Sequence, residues 1–157
     1  VDLASWIVGL LLIVLTIAIH TTGVVAMAFR LEARIRGRAG NDLGPRRTIP
    51  IVSGSIGVVA LLLAVLHGVE SVLWASAYRW LGAFDSFTDA SIYSLGTMVS
   101  FDVPGLELPD RLRLISALEA ANGVLLFGIS TAFLFAVMQA YFLTFFRRHR
   151  DQTDTRP

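Results

Sequence analysis

Apolar positions fall into three long blocks separated by polar, arginine-bearing or acidic connections. The first, "ASWIVGLLLIVLTIAIHTTGVVAMAF", covers residues 4–29 and as a helix would be about 39 Å long, enough to cross a hydrocarbon core of about 30 Å. The second, residues 49–84, ends with Trp74, Tyr78 and Trp80, a spacing that resembles an aromatic belt at a membrane interface. The third runs from about Leu112 to Phe146 and would tilt or project beyond the bilayer. A signal peptide is the rival reading of the first block, because Ala26-Met27-Ala28 resembles a cleavage site. Asp2 in place of a basic start, and the length of the apolar run, argue against it.

Between the second and third blocks the pattern changes. Residues 87–100, "FTDASIYSLGTMVS", place Phe87, Ile92, Leu95 and Met98 close to a helical stripe, and Asp85 or Ser86 stands where an N-cap belongs. An acidic, proline-containing stretch follows. A half-length helix and an irregular segment flanked by two full spans predict a re-entrant loop, which is tolerated at membrane depth only where protein or water surrounds it. The expected fold is therefore an all-α membrane protein with three transmembrane helices and one re-entrant helix with its loop.

Composition agrees with a membrane class. Of 157 residues, 55% are hydrophobic and 16% charged, and mean hydropathy is +0.68. No cysteine is present, which excludes disulfides and thiolate metal sites. The net charge of +1 matters less than where the charges stand. Arg30, Arg34, Arg36, Arg38, Arg46 and Arg47 face only Glu32 and Asp42 in the first connection, and "RRHRDQTDTRP" closes the chain. The positive-inside rule assigns both stretches to the cytoplasmic side, with the amino terminus and residues 85–110 outside. Attraction to anionic lipid headgroups follows for the same arginines, and nothing signals a nucleic-acid partner.

Polar side chains inside the apolar blocks are the candidate chemistry. His67, Glu70, Trp74 and Tyr78 recur on one helix face, and Glu119 and Asn122 open the third block at a matching depth. A hydrogen-bonded brace of His67, Glu70, Glu119 and Asn122 is the expectation, with a metal site of His67, Glu70 and Glu119 as the alternative. His20, with Thr16 on its face, has no evident partner, and a helix–helix hydrogen bond is the modest reading. Gly128, Ala132, Ala136 and Ala140 recur every four residues, a stripe suited to close packing or a narrow pore lining. No hydrolase, phosphate-loop or metalloprotease motif occurs, so no enzyme activity and no cofactor are expected.

Three stretches together carry a resemblance: "HGVESVLWASAY" late in the second block, "SIYSLGTMVS" in the short helix and "RLRLISALEAANGVLLFGISTAFLFA" entering the third. Their order resembles the potassium-channel pore module of small bacterial ion channels. The resemblance implies a homotetramer in a bacterial inner membrane and divides the chain into an amino-terminal helix with its basic connection (1–47), a pore module (48–146) and a basic tail (147–157). It also implies an ion pathway past Thr97, Ser100, Phe101 and Asp102. The family filter is Thr-Val-Gly-Tyr-Gly-Asp, whose carbonyl rings replace the hydration shell of potassium. Here Phe101-Asp102-Val103-Pro104-Gly105 stands in that place, and Pro104 disfavours a long row of inward carbonyls. The expected function is a cation channel that is weakly selective, or permeable to sodium or calcium, with Asp102 ringing the axis or else closing the turn before Pro104. The alternative is a non-conducting, channel-like structural or regulatory subunit.

Overall fold

The computed structural model describes residues 3–38 and 45–154. Four α-helices account for most of them: α1 (Leu3–Arg38), α2 (Pro45–Trp80), α3 (Phe87–Met98) and α4 (Arg113–Asp154), with a 3₁₀ turn at Asp110–Leu112. Stretches within α1 (Ser5–Arg34), α2 (Ile49–Trp80) and the third block (Asp110–Leu143) are each long and apolar enough to cross a membrane. The chain is thus a membrane-embedded all-α protein, with no strand among the described residues.

The helices outrun the apolar blocks. Arg30, Arg34, Arg36 and Arg38 belong to α1 and Arg46 and Arg47 to α2, where a longer basic loop was expected. Arginine is a good helix former, so α1 continues through charged positions after its apolar run has ended. Asp42 of that connection and Arg156 of the tail lie outside the described residues.

Contacts fix the directions of the helices. Along α1 and α4, Thr16 meets Asn122 and His20 meets Ser130, so the two run parallel. Tyr78 meets Glu119 and His67 meets Ser130, so α2 runs against α4. Both ends expected to be basic, the end of α1 and the end of α4, therefore lie at the same end of the bundle. α1 packs on both α4 and α2. Its Gly9 lies against Leu118 and its Gly23 against Leu66, where an added Cβ would come within 2.5 Å and 2.9 Å of the leucine methyls.

Two apolar clusters hold the helices together. One gathers Trp74, Ala75, Tyr78, Ala90, Leu112 and Ile115, and the other Val59, Leu63 and Val137. Between them along α2 lies a polar layer containing His67, Glu70 and Ser71, all buried.

Helix α2 ends at Gly82, whose φ of +68° lets the Ala83 N–H reach back to the Tyr78 carbonyl. Ser86 then caps α3, accepting hydrogen bonds from the backbone of Thr88 and Asp89. With 12 residues, α3 is about 18 Å long and cannot cross a bilayer. Its inward face is Ala90, Ser94, Gly96, Thr97 and Met98. Of the expected apolar stripe only Met98 is buried, while Phe87, Ile92 and Leu95 are exposed. Small residues point inward because α2 and α4 approach α3 closely.

Candidate functional site

Four buried side chains from three helices form the first cluster. The His20 Nδ1 lies 2.8 Å from Glu70 Oε1, and the His67 Nδ1 lies 3.3 Å from Glu70 Oε2. On the far side, the Nε2 atoms of both histidines lie 3.1 Å from one hydroxyl, that of Ser130. The His67 ring stacks on Phe127 with centroids 4.2 Å apart. Despite their proximity, His67 Nδ1 and Glu70 Oε2 make no hydrogen bond with each other or with any other described group. His20, with no partner evident from sequence, is thus central. One turn away, Asn122 donates to Thr16 at 2.8 Å, and Thr16 donates to the Leu12 carbonyl.

The second cluster is built on Glu119. Tyr78 donates to Oε2 at 2.6 Å and Ser94 to Oε1 at 2.5 Å, tying α2, α3 and α4 together. Ser94 also lies 2.9 Å from the Ser71 carbonyl, and Ser71 donates to the Ser94 hydroxyl at 3.2 Å. The expected brace of His67, Glu70, Glu119 and Asn122 is therefore divided. His67 and Glu70 join His20 and Ser130; Asn122 joins Thr16; Glu119 holds Tyr78 and Ser94. The donor set that approaches metal-ligand geometry is His20, His67 and Glu70, whose ligand atoms all lie within 4.8 Å of one another. Glu119 is not part of it. Sequence reasoning missed Ser71, Ser94 and Ser130. Ser130 did carry a signal, because it shares the helical face of Glu119, Asn122 and Leu126.

The end of α3 is shaped by backbone. The Phe101 N–H bonds to the Gly96 carbonyl and the Ser100 N–H to that of Thr97, with Ser100 in the left-handed region at φ +58°. This double closure of a helix C-terminus usually has glycine where Ser100 stands. It folds the chain back onto Gly96, where an added Cβ would meet a Val103 methyl at 2.5 Å. A second turn follows, closed by the Leu106 N–H on the Val103 carbonyl, with Pro104 and Gly105 at its centre and Gly105 at φ +82°. Asp102 is exposed, and no hydrogen bond from the turn to its carboxylate occurs. Ser100 and Phe101 are exposed with it, whereas Thr97 is buried.

The backbone carbonyl of Met98 sits so close to Gly123 that a Cβ there would overlap it. Gly123 lies ten residues into α4, and Ser71, the partner of Ser94, nine residues before the end of α2. By helix rise, the end of α3 is therefore about 15 Å along α4, and Ser94, one turn earlier in α3, is about 14 Å from the end of α2. In the rest of α4, Gly128, Ala132, Ala136 and Ala140 are all exposed, so the stripe is directed away from the chain's own helices.

Neither a protein-family model, nor a curated protein, nor a solved structure matches the chain. The functional reading rests on its own residues.

Proposed function

We propose that four copies of the chain surround a shared axis and form a passive cation pore, with the segment around Asp102 at its constriction. The observation that carries this reading is the depth of the α3 end. If α4 crosses a bilayer about 30 Å thick from its first residue, a point about 15 Å along it is near the middle. Irregular backbone starts there, and the N–H groups of Asp102, Val103 and Gly105 have no partner among the described residues. Lipid cannot satisfy such groups, so water or a neighbouring chain must cover them. A re-entrant α3 and a water-filled axis between copies meet that requirement.

The exposed side chains agree. Leu95, Val99 and Phe101 form an uncovered apolar strip beside Asp102, which a neighbouring copy would bury. The stripe of Gly128, Ala132, Ala136 and Ala140 offers a small-residue surface for the same axis or for close helix contact. With the Gly96 and Thr97 carbonyls already bound by loop N–H groups, selectivity falls to side-chain charge. Four Asp102 carboxylates would concentrate cations without selecting strongly between sodium and potassium. Orientation follows the arginines, with the amino terminus outside and the carboxyl terminus cytoplasmic.

The same closed carbonyls favour a second reading, a channel-like subunit that does not conduct. Flux separates the two. Protein reconstituted in liposomes is expected to pass sodium and potassium at comparable rates, and Asp102→Asn to cut both. Strong potassium preference, or no flux at any voltage, would refute the proposed pore.

A further inference from the structure

The His20, His67 and Glu70 cluster has a hydrogen-bonding problem that its own atoms do not solve. Ser130 presents one hydroxyl to two imidazole Nε2 atoms, both at 3.1 Å. A hydroxyl has one proton and two lone pairs, so Ser130 can donate to His20 Nε2 while accepting from His67 Nε2, which leaves the His20 Nδ1–H to donate to Glu70 Oε1 at 2.8 Å. His67 Nδ1 is then a bare lone pair facing Glu70 Oε2. His67 Nδ1 and Glu70 Oε2 are within 3.3 Å yet have no hydrogen-bond geometry between them and no other partner. Glu70 is fully buried, and leaving one of its oxygens without a partner there is costly. A cation between the three side chains would satisfy both orphaned atoms and replace the proton shared by His20 and Glu70.

We propose that His20, His67 and Glu70 bind one divalent first-row transition-metal ion, of the class that zinc represents, and that this ion pins α1 to α2. Two of the donor separations suit it. For metal–ligand bonds of about 2.0–2.2 Å, neighbouring donors in tetrahedral or octahedral arrangements lie about 2.8–3.6 Å apart. The two histidine-to-carboxylate separations are 2.8 Å, to Oε1, and 3.3 Å, to Oε2, and with all three ligand atoms within 4.8 Å of one another a small inward adjustment would complete the set. Two imidazoles and one carboxylate favour zinc, cobalt, nickel or iron over magnesium or calcium, which take oxygen ligands. Ser130, from α4, supplies what metal-bound histidines commonly need, an oxygen accepting the N–H opposite the metal. Phe127 shields the outer face of His67 by stacking. All three ligands come from one chain and belong to a different layer from the Asp102 loop, so the site stands whether or not the protein conducts.

The test uses the full chain purified in detergent without added chelator. Elemental analysis is expected to find one transition-metal equivalent per chain. After stripping with a membrane-permeable chelator, titration with Co²⁺ alone is expected to restore one equivalent and to produce visible ligand-field bands of a nitrogen and oxygen donor set. His67→Ala and Glu70→Gln are expected to lower uptake at least tenfold. Ser130→Ala is expected to keep the stoichiometry and weaken affinity about 10–100-fold, a graded effect that a purely structural hydroxyl would not produce. Should the ligand variants fail to fold, the cobalt titration of the unmodified chain decides. No uptake and no bands would overturn the proposal in favour of a metal-free hydrogen-bonded ring, and equal uptake by a folded His20→Ala/His67→Ala variant would overturn it as well.

Discussion

Glu119 offers the sharpest test of how the polar interior works. Its two carboxylate oxygens accept from Tyr78 and Ser94 at 2.6 and 2.5 Å, and all three side chains are buried. In Glu119→Ala the Ser94 hydroxyl can still donate to the Ser71 carbonyl at 2.9 Å, but the Tyr78 hydroxyl is stranded. A stranded buried donor costs about 1–3 kcal/mol. The void left by the side chain adds about 2 kcal/mol, the lower end for large-to-alanine changes. We expect a total of about 3–5 kcal/mol. Glu119→Gln should behave differently. Its carbonyl can accept from Tyr78, and its NH₂ can donate to Ser94, which turns its own proton to Ser71. A loss below about 1 kcal/mol is expected. Tyr78→Phe removes the group that Glu119→Ala strands, so the double variant should lose less than the sum, with a coupling of about 1–2 kcal/mol. Equilibrium unfolding in mixed micelles, titrated with a denaturing detergent, measures each value. Equal damage from Gln and Ala, or additive losses in the double variant, would refute this hydrogen-bond account.

Other expectations follow from local geometry. Gly123→Ala forces a Cβ into the Met98 carbonyl, which is backbone and cannot yield cheaply, so a loss of about 1–3 kcal/mol is expected in the same unfolding titration. Gly128→Ala meets nothing within 4 Å and should stay within about 0.5 kcal/mol. Because the chain has no native cysteine, single Asn41→Cys and Glu107→Cys variants report topology without background. An impermeant thiol reagent applied to intact cells should label the second and not the first, and the reverse pattern would invert the proposed orientation.

Much of the architecture was legible because its causes are one-dimensional. Hydropathy marks the three spans directly, and a capping serine marks the start of α3, although the apolar stripe did not mark the face that α3 buries. The helix ends were less legible, since the arginines after Phe29 read as a loop while their helix propensity carries α1 on to Arg38. The polar interior shows where a single sequence stops. His67 and Glu70 share a face three residues apart, which periodicity reveals. That Glu70 meets His20, fifty residues away, and that Glu119 instead meets Ser94, depends on how the helices rotate against one another. That rotation is set in part by small residues such as Gly9, Gly23 and Gly123, whose close contacts no spacing rule encodes. The Asp102 loop was misjudged in one alternative, because a turn before proline suggested an aspartate closing it. Backbone groups of Val103 and Leu106 close the turn themselves and leave the carboxylate exposed.

The central claim is that the exposed Asp102 segment faces a water-filled axis through which cations pass. Its most direct test is an Asp102→Cys variant in liposomes, with sodium flux recorded before and after a small, water-soluble, positively charged thiol reagent is added. Four added positive charges at a confined axis should abolish the remaining flux, and a reducing agent that removes them should restore it. A cysteine that reacts fully without changing sodium flux, or one that never reacts while flux continues, would contradict the account.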